Sequence, residues 1–175
     1  GVGGIGNEVG QRCAALGMRV IGIRRNPAEK VPPHFSRIDG PDELLEFLHQ
    51  SEFIAVCCQW TPETTHLLST DAFNAINPDS VLVNVARGEI IDEKALINSL
   101  NNNHLRGVAM DVYAGEFEHA PNSILWQDER VLLTPHVSGG TDDTKHQGVD
   151  LFCENLFAYL TGGALKNAID WNQGY

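Results

Sequence analysis

The sequence predicts a doubly wound α/β fold, a mostly parallel sheet with helices on both faces. Three observations carry the prediction. The runs at residues 53–58, 80–85 and 107–110 are continuously apolar but for Ser80 and Asn84 instead of alternating, as strands covered on both faces are. Helical patterns separate these runs, the order that gives parallel strands with helical crossovers. A chain of 175 residues that is 42% hydrophobic and 20% charged has room for one sizeable core and an appendage.

Taken in order, the elements open with a glycine-rich turn. Gly1-Val2-Gly3-Gly4-Ile5-Gly6 is a complete GxGxxG loop running into a helix that carries Val9, Cys13, Ala14 and Leu16 on one stripe and closes at Gly17. In a dinucleotide-binding βαβ unit the first glycine makes the turn out of strand one. The second lets backbone approach a pyrophosphate, and the third lets the helix pack closely. No strand precedes Gly1 in the sequence. In the strand order 3-2-1-4-5-6 that strand lies in mid-sheet, so the sheet is expected to fall into two halves with facing edges. The chain therefore reads as the C-terminal part of a longer protein.

Residues 19–23 read as a short buried strand, and residues 26–40, with three prolines and no periodicity, as loop. Pro41-Asp42-Glu43 opens a short helix with Leu44, Leu45, Phe47 and Leu48 inward. After the strand at 53–58, Ser69 caps a helix that Asn77-Pro78 stops, and the strand at 80–85 follows. Asp92 caps a helix bearing Ala95, Leu96 and Leu100, and residues 107–110 and 130–133 are the last strands. A final helix, capped near Thr141, sets Val149, Phe152, Cys153, Leu156 and Leu160 at i, i+3, i+4, i+7 and i+11 before Gly162-Gly163 ends it.

Charge and cysteines narrow the function. A net charge of −11 and a pI near 4.9 oppose a nucleic-acid or anionic-membrane surface, which needs a basic face. No apolar stretch approaches the ~18 residues of a membrane span. Cys13, Cys57, Cys58 and Cys153 lack metal-site spacing, so no metal is expected. They read as reduced thiols of a cytoplasmic protein.

Ligands of open α/β sheets bind beyond the carboxyl ends of the strands, and three such ends carry polar residues. Arg87-Gly88 follows the run at 80–85, Asp111 and then Glu116 follow 107–110, and Thr134-Pro135-His136 follows 130–133. Together they suit hydride transfer to a substrate with a carboxylate and a carbonyl. The planar Arg87 guanidinium can fork onto the carboxylate and polarise the carbonyl oxygen. His136 can protonate that oxygen as hydride reaches carbon, and Glu116 on its other nitrogen would stabilise the imidazolium and fix the ring. Singly each has a plainer reading: Arg87 paired with Glu89, His136 a loop histidine, Glu116 a solvated acid.

The stretch from Val83-Asn84-Val85-Ala86-Arg87-Gly88-Glu89 to Ala95-Leu96 resembles the signature of the D-isomer-specific 2-hydroxyacid dehydrogenases, among them glyoxylate/hydroxypyruvate reductase and phosphoglycerate dehydrogenase. Gly107-Val108-Ala109-Met110-Asp111-Val112-Tyr113 with Glu116, then Thr134-Pro135-His136-Val137-Ser138-Gly139, match in order, and Asn167-Ala168-Ile169-Asp170 to Gly174-Tyr175 looks like the family's C-terminus. The resemblance implies Arg87 as substrate-binding arginine, His136 as acid/base and Glu116 as its supporting carboxylate. It puts Gly1, Gly3, Gly4, Ile5, Gly6, Gln59, Thr61, Ala86, Asp111 and Gly139 on the cofactor, with Asp111 holding the nicotinamide carboxamide. Two positions depart from the family pattern: proline is common where Gln59 and Phe117 stand.

Where an NAD-preferring member places an acid on the ribose 2′-hydroxyl, this chain has Arg24-Arg25, which suits a 2′-phosphate and favours NADP over NAD. Residues 1–143 are expected to form the dinucleotide-binding domain. By resemblance, residues 144–175 belong with a substrate domain, which leaves their apolar stripe exposed or covered by a partner. The expected function is NAD(P)-dependent transfer of hydride to a small 2-oxo acid such as glyoxylate or hydroxypyruvate, by a full-length homodimer. The 175 residues by themselves should be nearly inactive. The rival is a catalytically silent, dinucleotide-responsive regulatory protein on the same fold.

Overall fold

The computed structural model describes residues 1–27, 30–141 and 144–171. They fall into two compact units, Gly1–His136 and Val137–Tyr175. In the first unit the glycine loop runs directly into α1 (Gly4–Ala15), and β1 (Ile21–Ile23) follows. The segment at 26–40, expected to be all loop, contains a further strand, β2 (Arg37–Asp39), parallel to β1. Its sequence hides it because only Ile38 is buried. Arg37 instead lies over the Phe47 ring at 4.5 Å and pairs with the Asp39 carboxylate at 2.7 Å.

A 3-10 turn, Pro41–Glu43, leads into α2 (Leu44–His49), and β3 (Phe53–Val56) ends two residues earlier than its apolar run. Cys57 and Cys58 thus lie past the strand end, half-buried. Ser69 caps α3 (Thr70–Ala75) by accepting from the Ala72 N–H, as expected, and β4 (Ser80–Asn84) follows. The Asp92 carboxylate caps α4 (Glu93–Asn101), accepting from the N–H groups of Lys94 and Ala95 at 3.0 and 3.2 Å. Next come β5 (Leu105–Met110), α5 (Ser123–Gln127), too short to show a helical period in the sequence, and β6 (Val131–Leu133).

All pairings are parallel, in two sheets: β1-β2, and β3-β4-β5-β6. The expected division is therefore present, and residues 1 and 2 occupy the gap. The Val2 N–H donates to the Ile23 carbonyl at 3.0 Å, while Gly1 packs on Cys58 just past β3. The core lies around the four-stranded sheet, where Leu82, Leu96, Leu100 and Leu125 are wholly buried. Each such side chain contributes about 1.5–3 kcal/mol relative to an exposed one. Not every residue of the expected stripes is inward: Leu16 and Leu45 are exposed.

The second unit holds α6 (Thr144–Thr161), whose Val149, Phe152, Leu156 and Leu160 are exposed. The expected cap near Thr141 adjoins residues 142 and 143, which lie outside the described residues, as do residues 172–175 of the closing motif. Among the described residues, no helix is long and apolar enough to cross a membrane.

Candidate functional site

Strands β4, β5 and β6 are consecutive neighbours, so their carboxyl ends deliver Arg87, Asp111 and His136 to one end of the sheet. The turn after β4 is shaped by Asn84, a wholly buried polar residue that follows Val81, Leu82 and Val83. Its amide donates to the Arg87 carbonyl at 2.9 Å and its carbonyl oxygen accepts from the Ala86 N–H at 3.0 Å. This leaves Arg87 extended (φ −143°, ψ 148°) with its Nη1 donating to the Ala86 carbonyl at 2.6 Å. Asn84 was not singled out from sequence, although one amide inside a strand of valines is the signal that could have found it.

Gly88 lets this turn meet the next one. A Cβ there would lie 2.5 Å from the Tyr113 carbonyl oxygen and closer still to the Tyr113 carbonyl carbon and the Ala114 nitrogen. Only a residue without a side chain permits that approach, and the chain it abuts continues straight to Glu116.

Asp111 is buried at 4% exposure and accepts a hydrogen bond from the Thr134 hydroxyl. Its backbone carbonyl accepts from the His136 N–H at 2.9 Å, and the Thr134 carbonyl does so at 3.0 Å. His136 sits in the left-handed region (φ 53°), a conformation that persists where surrounding bonds impose it. The ring is held as well: Nδ1 lies 2.8 Å from Glu116 Oε1. The Glu116 side chain is 11% exposed and that of His136 35%, so the carboxylate is sheltered while the imidazole reaches solvent. Among the described residues no hydrogen bond engages Nε2. A carboxylate on one ring nitrogen and an open second nitrogen is the arrangement of a general acid/base. The Phe117 ring stands 6.1 Å from the imidazole, centroid to centroid.

The glycine loop starts in the gap between the sheets, with Gly1 against Cys58 and the Val2 N–H on the Ile23 carbonyl. Gly3 is the N-cap of α1, with no side-chain cap and no acid in the first turn. A Cβ on Gly3 or Gly4 would meet nothing within 4 Å, and Ile5 is exposed, whereas one on Gly6 would strike the Gly1 carbonyl. Free N–H groups at the head of a twelve-residue helix, open space beside them and no competing carboxylate fit a pyrophosphate.

Arg24 and Arg25 follow β1. The Arg25 guanidinium is 3.9 Å from the Glu63 carboxylate, in the loop after β3. That loop is tied by a reciprocal cap between Thr61 and Thr64, and the Thr64 hydroxyl donates to the Gln59 carbonyl at 2.7 Å. The Thr61 hydroxyl holds the Glu63 carboxyl below its ordinary range. Thr61 is itself buried and folds the loop, as Ala86 does beneath Arg87. Gly139 belongs to the second unit.

Residues 1–138 match the family model described as D-isomer specific 2-hydroxyacid dehydrogenase, NAD binding domain. The chain is 34% identical over 171 residues to hydroxyphenylpyruvate reductase of Plectranthus scutellarioides, covering 91% of this chain and 54% of that protein. It is 30% identical to glyoxylate reductase of Pyrococcus furiosus, covering 93% of this chain and 47% of the relative. The chain thus spans about half the length of the curated relatives it matches. Among solved structures it is similar to a D-isomer-specific 2-hydroxyacid dehydrogenase of Xanthobacter autotrophicus Py2 in complex with NADPH and MES. The TM-score is 0.91 at 30% identity, covering 100% of this chain and 70% of that one.

Proposed function

The chain belongs to the D-isomer-specific 2-hydroxyacid dehydrogenases, and on that footing we propose that it is the cofactor-binding and acid/base half of an enzyme that reduces a small 2-oxo acid. One observation carries the proposal: the sheltered Glu116 carboxylate grips His136 Nδ1 at 2.8 Å at the end of β6. A nicotinamide dinucleotide, when bound, would supply hydride for the carbonyl carbon. His136 Nε2 gives its proton to the carbonyl oxygen, so the carbonyl becomes a secondary alcohol and the imidazole is left neutral. Glu116 stabilises the imidazolium before transfer and fixes its ring. The Arg87 guanidinium holds the substrate carboxylate and polarises the carbonyl. Asp111, seated between Asn84 and Thr134, receives the carboxamide of the nicotinamide, and Gly1, Gly3, Gly4, Ile5 and Gly6 present α1 to the pyrophosphate.

Arg24 and Arg25 support NADP as the preferred dinucleotide, since two guanidiniums beyond β1 match a 2′-phosphate. Residues 144–175 are assigned to the substrate domain, which accounts for the exposed stripe of Val149, Phe152, Leu156 and Leu160. Gly139, Gln59 and Thr61 border the cofactor. A cytoplasmic location, which four free cysteines support, and the homodimer that the family resemblance implies complete the reading. The test is to mix the whole protein that carries this chain with NADPH and glyoxylate or hydroxypyruvate and follow the absorbance of the reduced nicotinamide. Oxidation dependent on the 2-oxo acid, faster with NADPH than NADH, is expected. Tight dinucleotide binding with no turnover of any 2-oxo acid would overturn the proposal in favour of a regulatory protein.

A further inference from the structure

Phe117 has the most exposed large apolar side chain among the described residues, at 88%, and it stands at the reacting histidine. It follows directly on Glu116, and its ring is tilted 37° to the imidazole at 6.1 Å. So exposed a ring adds little to the folded core, because burial is what makes an aromatic side chain stabilising. Its position matters instead for what arrives at His136. A carbonyl oxygen within about 2.7–3.2 Å of Nε2 sets the carbonyl carbon one bond beyond, and its substituent can turn along the imidazole toward Phe117.

Substituents differ in what they gain there. Glyoxylate carries only hydrogen on that carbon and reaches nothing, and the hydroxymethyl of hydroxypyruvate is short and polar. An aromatic ring one carbon removed from the carbonyl reaches the ~4.5–7 Å range over which aromatic pairs attract. We propose that Phe117 is a specificity-determining residue, the apolar wall that selects a 2-oxo acid with an aromatic side chain over one without. The inference rests on the 2-oxo acid reading above and names the substrate class of that site.

The experiment compares phenylpyruvate with glyoxylate as substrates, using NADPH and the whole protein that carries this chain, unmodified and as Phe117→Ala, Phe117→Leu and Phe117→Tyr. The unmodified protein should favour phenylpyruvate. Phe117→Ala should lower kcat/KM for phenylpyruvate on the order of tenfold, mainly through KM, while glyoxylate changes less than about twofold. Phe117→Leu should fall between, Phe117→Tyr should restore the preference, and all should melt like the unmodified protein. Equal losses with both substrates, no loss with phenylpyruvate, or an unmodified protein that reduces glyoxylate but not phenylpyruvate would overturn the assignment and leave the 2-oxo acid reading standing. No turnover of any 2-oxo acid by the unmodified protein would overturn that reading and this inference with it.

Discussion

Gly88→Ala tests whether the Arg87 turn and the Glu116 turn are coupled by contact. The added methyl carbon would sit 2.5 Å from the Tyr113 carbonyl oxygen, with the Tyr113 carbonyl carbon and Ala114 nitrogen nearer still. Ordinary contact begins near 3.5 Å, so one turn must retreat by about 1 Å or more. Both neighbours are backbone and cannot rotate away. Overpacking of this kind costs about 1–3 kcal/mol, and more where backbone must move. Each kcal/mol lowers the melting midpoint of a domain this size by about 2–8 °C.

Activity should fall further than stability does. The Glu116 N–H bonds to the Tyr113 carbonyl, so a displaced Tyr113 carries the carboxylate away from His136. A misplacement of about 1 Å at a catalytic pair costs on the order of 10²-fold in rate. The assay pairs a circular-dichroism melt with turnover of a 2-oxo acid, and Gly3→Ala serves as companion. A methyl at Gly3 meets nothing within 4 Å, so that variant should melt normally while its dinucleotide affinity drops, because the methyl fills the space through which backbone nears the pyrophosphate. A Gly88→Ala protein that melts and turns over like the unmodified one would refute the reasoning.

Three further outcomes are expected. His136→Asn should lower kcat by about 10²–10⁴ with an unchanged melt, and Glu116→Gln, which keeps a hydrogen-bonding oxygen but not the charge, should cost less. Asp128 accepts from Arg130 through N, Nε and Nη2, and those side-chain bonds hold its carboxyl below the ordinary range. A carboxyl depressed in the folded state stabilises above its unfolded value, near 4, and that contribution is lost as pH falls through the lower folded value. Asp128→Ala should therefore cost about 1 kcal/mol at pH 7, read by urea denaturation, and the gap to the unmodified protein should shrink as pH falls below the unfolded carboxyl value. Burial raises the thiols of Cys57 and Cys58, whereas Cys153 is exposed. Mass spectrometry after iodoacetamide at pH 8 should find Cys153 alkylated first and the adjacent pair only at higher pH.

Strands β4 and β5 were legible as apolar runs largely sheltered on both faces, whereas β3 and β6 leave Phe53 and Leu132 exposed although the sequence reads them as covered, and helix starts were legible at Ser69 and Asp92 because a capping side chain must stand there. Strand β2 was not, since its pairing with β1 rests on backbone hydrogen bonds and a single buried isoleucine. Helix α5 spans five residues, too few to display a period, and only its Asn122 cap marks it. Arg87, Glu116 and His136 stand out in the sequence as polar residues beyond apolar strands, and the structure joins the last two through a hydrogen bond. The roles of Asn84 and Thr134 were not legible, because Asn84 acts on backbone and Thr134 on Asp111, contacts that exist only in the folded turns and between adjacent strands.

The left-handed backbone at His136 restricts what can replace it. Asparagine and glycine accept a φ of 53° readily, whereas a β-branched residue would be strained there, so His136→Thr would mix a distorted loop with a missing proton. If His136 is the proposed proton donor, a descendant lineage that abandoned proton transfer would have a narrow set of substitutions open at this position. Asparagine or glycine following Thr-Pro at the end of β6 would be the mark of a retired enzyme.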